Sequence, residues 1–293
     1  MKTKEEYSNY INEDYFNYLT KRLDDGTGNN VFVFESIKII KDELELNPIV
    51  NLLDLGCFSG ALLNNILSNL SGMERDRIRA VGVDINESVL ERGSHKYLDI
   101  IFLVSNLEKS LPLISQYNIL LLSNTLHEIV NNHSNELIND SVKVLEKMVF
   151  LLKTGGKIIF LDGVKPDKNM TIKVKFFNNY YEKFKEFSEI YLTHPINYSE
   201  DNKLICIDLI SLSTFFSKER YLETSFWDKE SNEIYQLFSK KEILEIFKYL
   251  DLKIITKEVQ FYKEDYINSI LEVITPKKVK IPKNILITAE KQL

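Results

Sequence analysis

The sequence predicts a doubly wound α/β fold: an open, mostly parallel sheet of seven strands with helices on both faces and a helical insertion late in the chain. Three observations predict it. Apolar runs of about five residues alternate with helix-period segments of about ten or more, the rhythm of βαβ units. Some of these runs are apolar throughout, such as Ile119-Leu120-Leu121-Leu122 and Ile158-Ile159-Phe160-Leu161, which suits strands covered on both faces. The first run leads through Asp54-Leu55-Gly56-Cys57-Phe58-Ser59-Gly60 into a helical pattern, so a carboxylate precedes a glycine-bounded loop. Open sheets make their ligand crevices at such strand-to-helix turns.

Residues 1 to 46 read as helical, anchored by Tyr7, Tyr10, Tyr15 and Leu19. Asp24-Asp25-Gly26-Thr27-Gly28 interrupts the pattern, which resumes from Val31 to Leu46. Strands follow at 51–55, 79–83, 100–104, 117–123 and 157–161, with helices at 61–70, 87–96 and 136–152 between them. After Pro166 the alternation lapses until a helix at 240–249 and strands at 252–259 and 285–289. The expected organisation is an N-terminal helical cap (1–46), a ligand-binding core (47–166), a largely helical insertion (167–239) and the rest of the core sheet (240–293). Phe176, Phe177, Tyr180, Tyr181, Phe184, Phe187 and Tyr191 recur in the insertion at helical spacing, with lysines between them. Such a stripe serves either a core or the aromatic walls of a lid over a small acceptor.

The 293 residues are 44% hydrophobic and 27% charged, enough for a full core. A net charge of −6 is the wrong sign for binding nucleic acid mainly through phosphates. Cys57 and Cys206 are too few for a disulfide framework, so a reduced, cytoplasmic protein is expected. The polar N-terminus carries no apolar leader, and no apolar run reaches the length of a membrane span.

Asp54 separates two kinds of nucleotide site. A dinucleotide loop turns bare backbone N–H groups to a pyrophosphate, which a carboxylate would repel. Phe58 also breaks the Gly-x-Gly pairing of such a loop, which disfavours a nicotinamide dehydrogenase. A carboxylate suits a ligand with a cationic end, such as the amino group and sulfonium of S-adenosylmethionine. If position 58 requires φ > 0, Phe is strained there; if it requires only an open approach, a ring pointing away is tolerated. An ordinary buried strand followed by a glycine turn is the plain alternative.

Asp84 ends the second strand, 24 residues after Gly60, near the distance at which an acidic residue binds ribose hydroxyls. Asp84 or Asn86 could instead cap the helix that begins at Glu87, and both roles are compatible. Asn106 and Leu107 end the third strand, in a ligand contact or in a plain turn before Pro112. His127 follows the fourth strand and is the candidate general base, with Glu128 and Asp162 as weaker ones. A structural hydrogen bond or a hold on the ligand is its other role, since in-line positioning alone supplies much of a transfer rate. His127, Glu128 and His133 match no standard metal-ligand spacing, so no metal is expected.

Residues Val50 to Gly60 resemble motif I of the class I S-adenosylmethionine-dependent methyltransferases, usually Asp-x-Gly-x-Gly-x-Gly. Asp54, Gly56 and Gly60 stand in register, and Phe58 replaces the middle glycine. Val81-Gly82-Val83-Asp84-Ile85 is similar to motif II, and Leu126-His127-Glu128-Ile129 to a segment frequent in members acting on small molecules. Leu152 to Gly163 looks like the family's helix–Gly-Gly–strand unit, with Gly155 as the residue that ends the helix. The likeness is good over residues 50–165 and looser toward the C-terminus.

It implies a Rossmann-like sheet and S-adenosylmethionine as cofactor. Asp54, Gly56 and Gly60 would hold the methionine portion, Asp84 the ribose, and Ile85, Asn106 and Leu107 the adenine. Asn124 would lie beside the methyl donor, and Asn106 stands where the family usually has Asp. Transfer to an oxygen, nitrogen or carbon of a small-molecule acceptor is the implied reaction, with His127 catalytic. An RNA or protein methyltransferase and a catalytically inactive binding protein are the alternatives, the former disfavoured by the acidic balance and the missing Asn-Pro-Pro-Tyr-type motif. No membrane partner is expected.

Overall fold

The computed structural model describes residues 13–24, 30–109, 116–130, 136–177, 179–191, 193–276 and 278–292. Tyr7, Tyr10, Gly26, Gly28, Pro112 and His133 lie outside the described residues. The chain forms two compact units. One comprises Met1–Leu161, Glu245–Lys257 and Leu286–Leu293, the other Asp162–Leu244 and Glu258–Ile285.

The first elements among the described residues are helices α1 (Glu13–Asp24) and α2 (Asn30–Leu46). Strand β1 (Val50–Leu55), α3 (Ala61–Ser68), β2 (Ile78–Asp84), α4 (Glu87–Lys96) and β3 (Ile100–Val104) follow. Next come β4 (Tyr117–Ser123), the short α5 (Leu126–Ile129), α6 (Leu137–Phe150) and β5 (Leu152–Lys165). The later chain holds β6 (Thr171–Phe176), α7 (Tyr180–Ile190), β7 (Tyr198–Asp201), β8 (Leu204–Asp208), α8 (Leu209–Lys218) and α9 (Trp227–Glu230). It ends with β9 (Phe238–Ser239), α10 (Lys240–Tyr249), β10 (Leu252–Phe261), α11 (Glu264–Ile270), β11 (Leu271–Thr275) and β12 (Pro282–Lys291). No helix among the described residues is long and apolar enough to cross a membrane.

The seven expected strands run in the order β10-β12-β5-β4-β1-β2-β3, and the two-residue β9 adds an eighth beside β5. Strand β1 pairs in parallel with β2 on one side and β4 on the other. The chain therefore steps outward from β1 to β3, then returns to the far side of β1. That reversal opens a crevice at the carboxyl ends of β1 and β4, where open α/β sheets place their ligands.

The sheet is held by apolar burial. Phe32, Ile39 and Ile40 of α2 and Leu63 and Ile66 of α3 share one cluster with Val50 and Leu52 of β1 and Ile119 and Leu121 of β4. Each such side chain contributes about 1.5–3 kcal/mol when removed from water. The helical spacing of the α2 residues is thus enough to commit that helix to the sheet.

One charge interrupts this apolar seam. Glu43 of α2 is 2% exposed. Its carboxylate pairs with Lys157, lies 3.7 Å from Lys153, and accepts from Asn118 Nδ2 at 3.1 Å and Asn47 Nδ2 at 3.0 Å. Burial opposes the charged form, but Lys157, Asn118 and Lys153 outweigh it and hold Glu43 below the usual carboxylate range. The cluster pins α2 to the amino-end residues of β4 and to β5.

Two expectations are corrected. Helix α6 ends at Phe150 with Leu151 as its cap, so Gly155 is not the residue that terminates it. Gly155, with φ 73°, instead lies in a bulge of β5, where Tyr117 pairs with Leu152 but Ile119 pairs with Lys157. The second correction concerns residues 167–239, expected to be largely helical. They contain β6, β7 and β8, which join β11 in an antiparallel sheet of order β11-β6-β8-β7. Ile172, Val174 and Phe176 are buried and alternate with Thr171, Lys173 and Lys175, a period of two that overrides the helix reading of this stretch.

Phe176, Phe184, Phe187 and Tyr191 fill the core of this second unit, with Phe176 stacked on Phe184 at 4.7 Å. They are core residues, not the walls of an open pocket. The unit also buries a charge pair: Lys218 Nζ lies 3.1 Å from Glu230 and 3.3 Å from the centroid of the Tyr235 ring.

A depressed carboxylate contributes stability that is present above its unfolded value and is lost as pH falls through its folded value. Glu43→Gln should therefore cost about 3 kcal/mol in denaturant titrations at pH 7, the scale of breaking a buried pair. The gap from the parent protein should close as the pH drops below about 4. A gap that does not narrow as the pH falls would contradict the ion-pair account.

Candidate functional site

Strand β1 delivers Asp54 to the crevice, paired in register with Gly82 of β2 and Leu121 of β4. The chain then turns through Gly56, Phe58 and Gly60, with φ of 75°, 50° and 78°. Four loop N–H groups are spent internally. Gly56 and Cys57 donate to Val83 O at 2.8 and 3.0 Å, Phe58 to Asp84 Oδ2 at 2.9 Å, and Gly60 to Cys57 O at 2.8 Å. Such a loop has little backbone left for a pyrophosphate, in keeping with the reading against a dinucleotide.

Glycine is required at position 56 twice over. Its φ is left-handed, and a Cβ there would strike the side chain of Thr125. Thr125 Oγ1 in turn donates to Leu55 O at 3.3 Å and Ser123 O at 3.1 Å, tying the turn after β4 to the turn after β1. Phe58 adopts the left-handed conformation without being glycine, at a cost of roughly 1–2 kcal/mol. Its ring packs against Phe16 of α1, with centroids 5.6 Å apart, and the Arg92 guanidinium lies 4.6 Å from the Phe16 ring. The sequence left two possibilities at this position; the backbone is strained, and the ring is engaged.

The electrostatics centre on Asp54. It is 2% exposed, and its Oδ2 is buried with no hydrogen-bond partner among the described residues. Burial and the neighbouring Asp84 carboxylate push its pKa up to about 7. Asp84 is better supplied, accepting from the Phe58 N–H and, through Oδ1, from the Asn86 N–H at 2.9 Å. Two carboxylates thus stand at adjacent strand ends, one with a buried oxygen that lacks a donor among the described residues, an arrangement a cation with N–H groups can satisfy.

The other expected residues take these positions. Asn86 Oδ1 accepts from Val89 N at 3.2 Å, so Asn86 caps α4 and Asp84 is left to the loop. Ile85, between them, is half-buried. Asn106 Oδ1 accepts from Glu108 N at 2.8 Å, which engages the carbonyl oxygen that the sequence offered to a ligand; Leu107 is buried. Asn124 has φ 52° and donates its N–H to Leu161 O at 2.7 Å. His127 is half-buried on α5. Asp162 is buried and accepts from the Gly163 N–H at 2.7 Å.

Direct bonds thus join Asp84 to the glycine loop, whereas Asn106 and Leu107 stand two strands away at the end of β3. Thr125 and Ser59 were missed by the sequence reading. Only the demand for glycine at position 56 hinted at a close neighbour such as Thr125.

A family model of the methyltransferase domain matches residues 46–249. No curated protein matches in sequence. Among solved structures, an S-adenosylmethionine-dependent methyltransferase from Clostridium acetobutylicum is 13% identical, with a TM-score of 0.51 over 96% of this chain and 99% of that one. The CurJ carbon methyltransferase is 12% identical, with a TM-score of 0.53 over 95% of this chain and 60% of that one. The N-methyltransferase NodS from Bradyrhizobium japonicum, solved with S-adenosylhomocysteine, is 10% identical, with a TM-score of 0.50 over 96% and 94%. These likenesses establish a shared fold.

A carboxyl whose folded pKa is raised keeps its proton longer in the native state. Stability should fall as pH rises from about 4 to 7, by a few kcal/mol, and level off above 7. Asp54→Asn should remove that fall, as read from denaturation midpoints across the pH range. An unchanged profile would clear Asp54 of the effect.

Proposed function

The chain belongs to the S-adenosylmethionine-dependent methyltransferase family, and from that premise we propose that it methylates an oxygen, nitrogen or carbon of a small-molecule acceptor. The observation that carries the reading is the orphaned, buried oxygen of Asp54 at the mouth of β1. Bound S-adenosylmethionine supplies an activated methyl group on a positively charged sulfur.

Asp54 is assigned to the ammonium of its methionine end, where a cation with N–H groups answers both the missing donor and the charge. The N-terminus of α3, whose cap residue Gly60 offers no side chain, is assigned to the carboxylate. Gly56 and Gly60 shape the loop between these two groups. Asp84 accepts from the ribose hydroxyls, Ile85 and Leu107 give apolar surface to the adenine, and Asn106 borders it. Asn124 stands where β4 meets the reacting end. His127 is assigned to take the acceptor's proton as the new bond forms.

The acidic net charge supports a small acceptor over a nucleic acid. Similar folds in a carbon methyltransferase and an N-methyltransferase keep both atom types in play. A cytoplasmic location belongs to the same proposal, supported by both cysteines being free.

Binding of S-adenosylhomocysteine, followed by calorimetry, should strengthen about tenfold per pH unit as the pH rises toward 7, because a proton must leave Asp54. Asp54→Asn should bind roughly 100-fold more weakly, the scale of losing a buried charge pair. Affinity that ignores both changes would remove Asp54 from this role. In methyl-transfer assays against metabolite pools, His127→Gln should slow turnover about 100-fold while binding stays within about twofold. Equal turnover would make His127 a structural residue.

A further inference from the structure

Helix α1 presents one face to the cofactor loop and its flanks. Glu13, Phe16, Thr20 and Asp24 recur at helical spacing along that face. The ends of the stripe are fixed to α3 and α4. Glu13 pairs with Arg92 at 2.7 Å, and Asp24 pairs with Lys96 at 2.6 Å and accepts from Tyr97 OH at 2.8 Å. Asn65 Nδ2 donates to the carbonyls of Leu23 and Asp24 at 3.0 and 2.8 Å. The middle of the stripe rests on the loop itself: Phe16 packs on Phe58, and Thr20 Oγ1 shares a 3.2 Å hydrogen bond with Ser59 Oγ.

Phe58 links this face to the carboxylates. Its ring meets α1, while its N–H donates to Asp84. Both contacts depend on one left-handed backbone state, which a phenylalanine adopts only when its surroundings over-determine it. A glycine would visit that state freely and would carry no ring to report it.

We propose that Phe58 is a positioning residue that couples the docking of α1 to cofactor binding, so that each strengthens the other by the same factor. The inference rests on the assignment of the Asp54–Gly60 loop to S-adenosylmethionine. Reciprocity follows from linkage: whatever α1 adds to cofactor affinity, the cofactor returns as protection of α1.

The test pairs hydrogen exchange of residues 13–24 with calorimetric titration of S-adenosylhomocysteine into the full chain. In the parent protein the ligand should slow exchange across α1. Phe58→Gly and Phe16→Ala should each remove most of that added protection and weaken binding about fivefold, the scale of one aromatic pair. The double variant should bind no more weakly than either single one. Thr20→Val removes only the bond to Ser59, keeps the helix packing, and should lose part of the protection. It guards against a Phe16→Ala variant whose α1 does not fold.

A purely structural Phe58 would leave the ligand-induced protection of α1 intact in Phe58→Gly, and that result would overturn the coupling. Losses that add in the double variant would overturn it as well. If the parent protein binds S-adenosylhomocysteine without protecting α1, the coupling alone fails. If it does not bind at all, the cofactor reading fails with it.

Discussion

The site depends on an unfavourable interaction: two carboxylates, Asp54 and Asp84, held at the ends of adjacent parallel strands with water excluded from the first. Pairing between β1 and β2 places them there, and neither can retreat without breaking the centre of the sheet. Their neighbours manage the consequence. The loop N–H of Phe58 and that of Asn86 feed Asp84, Asn86 takes over the capping of α4, and Thr125 holds the next turn against Gly56. Among the described residues Asp54 Oδ2 is left without a donor. Natural sequences that violate local physical consistency tend to do so where a ligand supplies the missing part.

Glu43 shows that burying a carboxylate is not itself the strain. Glu43 and Asp54 are equally hidden, yet one is held below the usual carboxylate range and the other is pushed far above it. Burial raises both and is the largest cause of the rise at Asp54; the difference is whether the surroundings offset it. Glu43 sits among two lysines and two amides, whereas Asp54 meets a second negative charge. One cluster spends its charges on holding a helix to the sheet; the other leaves a buried carboxyl oxygen without a donor among the described residues.

Legibility in the sequence followed the strength of the local pattern. The apolar run of β4 and the capped helix α4 could be read to the residue, because each carries a single period bounded by polar residues. Asp54, Asp84 and the glycines could be placed at strand ends and in a tight turn because each follows directly on an apolar run. The strands β6 and β8 could not, since lysines between Ile172, Val174 and Phe176 blended into the helical spacing of the aromatics that follow. Gly155 misled because a glycine after a helix ends it in many proteins, while here it serves a bulge. The seat of α1 on the loop was illegible for a different reason. Phe16 and Phe58 are separated by a whole strand and helix in sequence, and only the fold brings them together.

The antiparallel sheet of the second unit has a consequence for synthesis. Strand β6 at residues 171–176 lies between β8 and β11, and β11 is made only at 271–275. The other sheet likewise waits for β12, at 282–291, to stand between β5 and β10. Neither sheet is complete until residues 271–291 have left the ribosome. Closing such distant pairs costs chain entropy before any contact returns it, and unpaired strand edges invite other chains meanwhile. The growing chain therefore carries these strand edges unpaired until residues 271–291 have been made.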